Sequence, residues 1–378
     1  MAGKAMRLRL GVVLFAGLVG LTGCHGFFVP EPGSGGGGGG GTSTGFTYSI
    51  NSLTSTVSGF AIGTGALTSV PNMPYQLGFV PVAAAVTINN SFLYVAGPGA
   101  IYCYNIGSDG SLSTPSTGAG QVIVFALSLD VSPDGNWLVA LNGTTSQLNI
   151  YQINQTTGAL TLKTAVSYSI TNLSVAPRMV RVSPDGNYIF AALGSNGDAV
   201  FSFDTTSGAA TLEQTLAVPS TTSDNALVAD STSKFLYIAR SGTGGGLAVY
   251  TIGAQGVLNS VPNSPFVAGA QPSDVRLYST TTAQFAYVAN GSDGNISGYS
   301  INNGVATALS GSPYASGATV RSLVLDNSGK YLLAGAFVGS PDLTMYSFDT
   351  VVAGKLVQAT TTATGTDPAG VLEIVATH

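Results

Sequence analysis

Seven arginines are spread over 378 residues of which only 8% are charged, and four of them, Arg178, Arg181, Arg276 and Arg321, fall in short apolar segments. A guanidinium is permanently charged and presents a planar fork of N–H donors. In apolar surroundings it either grips an anion or is neutralised by a protein carboxylate. Arg178 and Arg321 take equivalent places in the repeat described below, and no acid shares their column. They are candidates for holding a carboxylate or phosphate. Arg181 shares a column with Asp130 of the adjacent repeat, and Arg276 lies close to Asp274, so ion pairs between repeats account for these two without any ligand. Arg240 follows a second strand.

Acid–base hydrolysis needs a group that titrates near neutrality or a well-placed carboxylate. The two histidines are His25, in a glycine-rich stretch, and His378, at the last position. A histidine-free interior is therefore expected, and a Ser-His-Asp or Cys-His nucleophile system has nothing to build on. Glu213 is expected on an outer strand. That leaves Glu373 as the glutamate nearest the axis, on a strand position that aligns with Val182 and Leu277. There it is either a satisfied core acid or an unusual catalytic residue. The catalytic candidates are thus Arg178, Arg321, Glu373 and Asp274. No metal and no cofactor is expected: "NGSDGNISG" from Asn290 and "GSNGDAV" from Gly194 lack the terminal glutamate of a calcium loop and read as turns. A net charge of −5 without a basic cluster in the repeats argues against nucleic acid.

These residues must be positioned by strands. Gly, Ser, Thr, Val and Ala dominate the composition, which suits short strands and tight turns. From Phe46 one unit recurs: an apolar strand, a turn such as Pro-Asp-Gly, a second strand with an aromatic start, a third strand with an aromatic column, and a Gly-containing turn into a polar fourth strand. The turn glycines, Gly65, Gly110, Gly158, Gly208, Gly256, Gly304 and Gly354, lie roughly 45 to 50 residues apart, the period of propeller blades. The third-strand column runs Phe60, Tyr104, Tyr151, Phe201, Tyr250, Tyr299 and Tyr346. Apolar groups on both parities of this strand predict burial on both faces, as in stacked blades. Cys103, on the same strand, reads as a small buried hydrophobe.

"FTYSIN" from Phe46 matches a second strand, so the first repeat lacks its opening strand. "DPAGVLEIVAT" from Asp367 supplies one at the other end and then stops. Pairing the two would close a ring and remove its sheet edges. The prediction is an all-β, seven-bladed propeller of four-stranded antiparallel blades over residues 46–378. The first strand of each blade lines the channel. One column of channel residues is then Val82, Leu127, Arg178, Asn225, Ser273, Arg321 and Ala369; the next, three residues on, is Ala85, Asp130, Arg181, Val228, Arg276, Val324 and Leu372.

Residues 1–24 have a basic start at Lys4, Arg7 and Arg9, an apolar stretch from Leu10 too short to span a bilayer comfortably, and "LTGC" ending at Cys24. This resembles the lipobox of bacterial lipoproteins, which implies a signal peptide and lipidation of Cys24. His25 rather than Asp after the cysteine implies outer-membrane sorting. Residues 25–45, with "PEPGSGGGGGGGTSTG", read as a flexible tether of about twenty residues reaching roughly 25 Å. A lipid-anchored monomer in the bacterial cell envelope is expected, with the membrane as one partner and a small anionic ligand or an envelope protein as another.

The repeats, through "VSPDGNYIFAAL", "TSGAAT", "TTGALT", "NSPF" and "GSPY", resemble the lactonase-like seven-bladed propeller family, which includes 6-phosphogluconolactonases and carboxymuconate cyclases. In its active members the inner strand resembles G-P-R-H-x-x-F-H-P-x-G, followed by an Asn-Glu pair. Here "APRMVRVSPDG" keeps Arg178 but has Met179 for the histidine and Val182-Ser183 for Phe-His, while Leu193 and Gly194 stand where the glutamate would lie. The interior so predicted, nearly uncharged and without histidine, points to a binding or interaction scaffold without strong catalysis. The resemblance implies the alternative, a lactone hydrolase using Arg178 with Arg321 and Glu373 or Asp274.

Overall fold

The computed structural model describes residues 45–115, 120–170, 176–365 and 370–378. Cys24, the leader, the tether up to residue 44, Asp367 and Ala369 lie outside the described residues.

Among the described residues the strands form seven separate antiparallel sheets, four of four strands and three with a short fifth strand. Blades 2 to 7 begin at Ala83–Val86, Ala126–Val131, Met179–Val182, Thr222–Ala229, Pro272–Ser279 and Val320–Leu325, and each runs outward in chain order. Blade 1 departs from this order, as predicted. Its innermost strand is Val371–Ala376, which pairs with Phe46–Asn51 so that Tyr48 faces Val375 and Asn51 faces Val371. The seven inner strands contact one another in sequence around the axis, the last meeting the first. Head and tail of the chain therefore close the ring.

The aromatic column is buried in every blade, from Phe201 at 0% exposure to Tyr250 at 8%. Seven apolar clusters fill the seams between successive blades, and the third-strand aromatics belong to them. Outer strands such as Ala209–Leu216 alternate between partly buried and exposed residues, since only one face has a neighbour.

The structure explains why the glycine ruler and the aromatic start of the second strand recur together. All seven turn glycines have positive φ. Each of those from Gly110 to Gly354 lies against the ring at the start of the previous blade's second strand. A Cβ on Gly208 would come within 2.4 Å of Trp137, and one on Gly354 within 2.2 Å of Phe285. Tyr48 and Tyr94 each donate their phenol to a glycine carbonyl of the next blade, Gly110 and Gly158, at 2.8 Å. Cys103 sits in the seam between blades 2 and 3, where burial pushes its thiol up to about 12 and leaves it unreactive.

Candidate functional site

The channel residues are aimed by a repeated irregularity. In blades 3, 5, 6 and 7 the inner strand skips one residue against its neighbour, at Leu127, Asn225, Ser273 and Arg321. A bulge of this kind turns one side chain off the sheet. In blade 1 the skipped residue is Leu372. Val82 and Arg178 hold the same place in blades 2 and 4, just before the strand, with their N–H groups donating to Ala96 and Ala192 at 2.8 and 2.9 Å. All seven line a cavity of about 520 Å³ at the face of the interblade connections. This corrects the sequence alignment in blade 1, in both columns: Leu372, expected in the second column, completes the first in place of Ala369. Its partner in the second column is Val375.

Arg178 and Arg321 are therefore in one cavity, in blades 4 and 7. Both are exposed, and neither forms a side-chain hydrogen bond or ion pair among the described residues. Enclosure by the surrounding strands lowers the pKa of Arg321, and the charge of Arg178 lowers it further. Two like charges are thus held near each other with nothing to neutralise them, which an anion between them would relieve. The rim beside them is a run of hydroxyl and amide groups. Ser223 Oγ donates to Asn225 Oδ1 at 3.2 Å, and Asn225 Nδ2 donates to Ser241 Oγ at 3.0 Å and to the Pro272 carbonyl at 2.8 Å.

Immediately below lies a ring of acceptors. The residue following the skipped position takes a backbone N–H from the next blade's inner strand: Glu373 from Ala84 at 2.9 Å, Ser128 from Val180 at 3.1 Å, Met179 from Leu227 at 3.4 Å, Asp274 from Leu323 at 2.8 Å and Ser322 from Ile374 at 3.2 Å. Inner strands are sheet edges, and their channel-facing N–H groups need partners. Glu373 therefore aligns with Met179 and Asp274, not with Val182 and Leu277. Asp274 is saturated, also accepting from Val275 N–H and Arg276 Nη1 at 2.8 Å each. Glu373 is less fully engaged and lines cavities above and below the ring.

The lower cavity, about 210 Å³, holds the second column. Arg181 Nη1 lies 3.9 Å from Asp130 and its Nη2 3.6 Å from Glu373. Arg181 thus joins blade 4 to blades 3 and 1. Arg276 pairs with Asp274 at 2.8 Å. That pair lies within one strand; blades 6 and 7 are tied by the Leu323 N–H to Asp274 bond and by Ser273 Oγ donating to the Val320 carbonyl at 3.0 Å. Burial raises the carboxyls of Asp130 and Glu373, and Arg181 opposes the rise. Burial lowers Arg276, and the nearby Arg181 charge limits what its acids can restore.

The expectation of an interior without histidine needs correction. His378 lines this lower cavity, its Nε2 3.3 Å from the Val86 carbonyl and its N–H donating to Asn90 Oδ1 at 2.8 Å. No histidine lines the upper cavity, where Met179 stands near Arg178. Leu193 is buried and Gly194 has φ +68°, so both serve the backbone. Arg240 lies inside the second strand of blade 5, not after it, and grips Asp224. Among the described residues no three His, Cys, Asp or Glu side chains converge as a metal site.

A closed seven-bladed propeller with a polar, doubly cationic axial cleft is the class that fold and site define. Residues 25–169 and 115–228 match the family model described as lactonase, 7-bladed beta-propeller, which spans over half of the chain. The chain belongs to this family. Among solved structures, a candidate 6-phosphogluconolactonase from Bacteroides uniformis is similar with a TM-score of 0.72 at 16% identity, over 88% of this chain and 98% of that one. A counterpart from Bacteroides fragilis gives 0.70 at 16% identity, over 88% and 98%. The periplasmic gluconolactonase of Pseudomonas aeruginosa gives 0.66 at 15% identity, over 88% and 99%. No curated protein matches the chain.

Proposed function

We propose that this protein hydrolyses the lactone of a sugar acid at the upper mouth of its channel. The observation that carries this reading is the pair of unneutralised guanidiniums, Arg178 and Arg321, in a polar cavity of about 520 Å³ floored by Glu373. Arg178 occupies the arginine position of the family's inner-strand motif, and family membership supports the reaction class. Water adds to the lactone carbonyl and gives up a proton to Glu373, whose carboxyl burial pushes above its ordinary value. The guanidiniums stabilise the oxyanion as it forms. The ring C–O bond then breaks, the leaving alkoxide takes the proton back from Glu373, the product acid releases its remaining proton to solvent, and the resulting carboxylate is held by the same two arginines.

The purified protein should acidify a solution of gluconolactone faster than background. Arg178→Ala should lower that rate at unchanged melting temperature, and Glu373→Gln should lower it while also removing a charge that pairs with Arg181. Binding without turnover is the second reading, favoured by Met179 in place of the motif's histidine. It predicts that gluconate raises the melting temperature while the lactone opens only at the background rate. Failure of both would leave the mouth without a sugar-acid role.

We further propose that Cys24 carries lipid and tethers a monomeric propeller in the bacterial envelope, at the outer membrane. Mass spectrometry of the N-terminal peptide from cells expressing the wild type and Cys24→Ala tests this, the lipid-bearing peptide and membrane fractionation both being lost in the variant.

A further inference from the structure

A second charged cluster lies at the seam between blades 4 and 5 and takes no part in the proposed hydrolysis. Asp224 is fully buried and grips Arg240 with both oxygens, at 2.6 and 2.7 Å, while Arg240 Nη2 also donates to the Tyr250 hydroxyl at 2.9 Å. Asp198, 2% exposed, comes from the third strand of blade 4, and among the described residues no N–H or hydroxyl donor reaches either of its oxygens. The charged groups bearing on Asp198 are Asp224 and Arg240, with Tyr250 beyond. One buried cation faces two buried acids. An isolated second carboxylate is far too costly there, so one acid stays neutral.

We propose that Asp198 and Asp224 form a proton-sharing pair: Asp198 is held as the neutral acid, donates its O–H to the Asp224 carboxylate, and latches blade 4 to the rim of the upper cavity. Arg240 fully engages Asp224, so Asp198 carries the proton. Burial and the Asp224 charge both raise its pKa. The latch meets the rim directly, because Asp224 lies between Ser223 and Asn225 and Arg240 precedes Ser241, the residues of the rim network. Backbone bonds of 3.2 Å in both directions between Gly194 and Asp224 complete the seam. Losing the shared proton places a second negative charge against Asp224, sets Asp198 in competition for Arg240 and loosens this part of the rim.

The sign follows from linkage. Asp198 has a folded value raised above the ordinary 3.8. The stabilisation from its neutral form is fully present below that ordinary value and is lost as pH rises through the folded one. Asp198→Asn keeps a donor to Asp224 but cannot ionise. Melting temperature measured on the full chain from about pH 5 to pH 9 should fall more steeply in the wild type than in D198N. Infrared spectra at pH 7 should contain a protonated-carboxyl C=O band that D198N lacks. Above the pH of the transition, amide exchange at residues 223–225 and 240–241, corrected for its intrinsic pH dependence, should quicken in the wild type and not in D198N. Parallel melting profiles in the two proteins, or a neutral-pH spectrum without the carboxyl band, would overturn the proposal. If D198N fails to fold, the exchange profile of the wild type at residues 223–225 and 240–241 decides it, a profile without a pH-dependent step there overturning the proposal.

Discussion

The two ends of the channel are built from the same inner strands, three residues apart, yet they treat charge in opposite ways. At the lower end Arg181 spends its donors on Asp130, Glu373 and the carbonyls of Leu129 and Val180, and Arg276 is taken up by Asp274 and the Val275 carbonyl. At the upper end the charge of Arg178 bears on Arg321, and among the described residues neither forms an ion pair. Position within the strand decides this. A residue three places past the skipped position faces its counterparts across a narrow bore, where acids and bases neutralise one another. The skipped residue is turned into a wide, wet mouth. Partly buried pairs below hold blades together, while the exposed arginines above, unpaired among the described residues, are free to bind a ligand.

Cutting the lower network should have the largest effect on folding. Arg181→Met leaves the partly buried Asp130 and Glu373 without their cation and should cost about 2 kcal/mol in urea unfolding, between the surface and buried cases. A loss below about 1 kcal/mol would mean that these ion pairs do not hold the seams. The upper end should respond in the other currency. Arg178→Ala or Arg321→Ala should weaken gluconate binding by about 1.5 to 3 kcal/mol, roughly ten- to a hundredfold, with no loss of stability because a like-charge contact is removed. A matching fall in stability would erase the distinction between the two ends.

A smaller effect separates the ends by pH. Asp130 and Glu373 have raised folded values. The stability they contribute is greatest below the ordinary carboxyl range and declines as pH rises through the folded values. Urea midpoints followed over that window should decline less in Asp130→Asn and Glu373→Gln than in the wild type. The smallest change is expected far from the channel. Lys355 is paired with Asp349 at 3.4 Å but is 40% exposed, so Lys355→Ala should move stability by no more than about 0.5 kcal/mol.

The ring was readable in the sequence because its cause is periodic. A glycine of positive φ must meet the aromatic of the previous blade, and that pairing leaves a mark at every repeat. Closure was readable from the split first blade. The sequence alignment failed at the final inner strand, where the skipped residue is Leu372, three positions past Ala369, an offset that the hydrophobic pattern does not record. Glu373 was consequently assigned to an apolar column instead of the acceptor ring. The place of His378 was not readable for a related reason: its position at the lower cavity depends on contacts with Asn90 and Val86 of a different blade, and no repeat position predicts them. Asp198 and Asp224 stand 26 positions apart in different blades, and "GSNGDAV" reads as a turn until the seam brings them together. The arginine columns were legible because charge is so scarce in this chain.

The central claim is that the upper mouth is an anion site and the lower end is not. Calorimetric titration of the full-length protein with gluconate tests it most directly, carried out on the wild type, Arg178→Ala and a lower-end variant, Arg276→Met. Binding that is lost in Arg178→Ala and kept in Arg276→Met is the predicted result. Binding that survives Arg178→Ala, or that disappears only when Arg276 is changed, would contradict it.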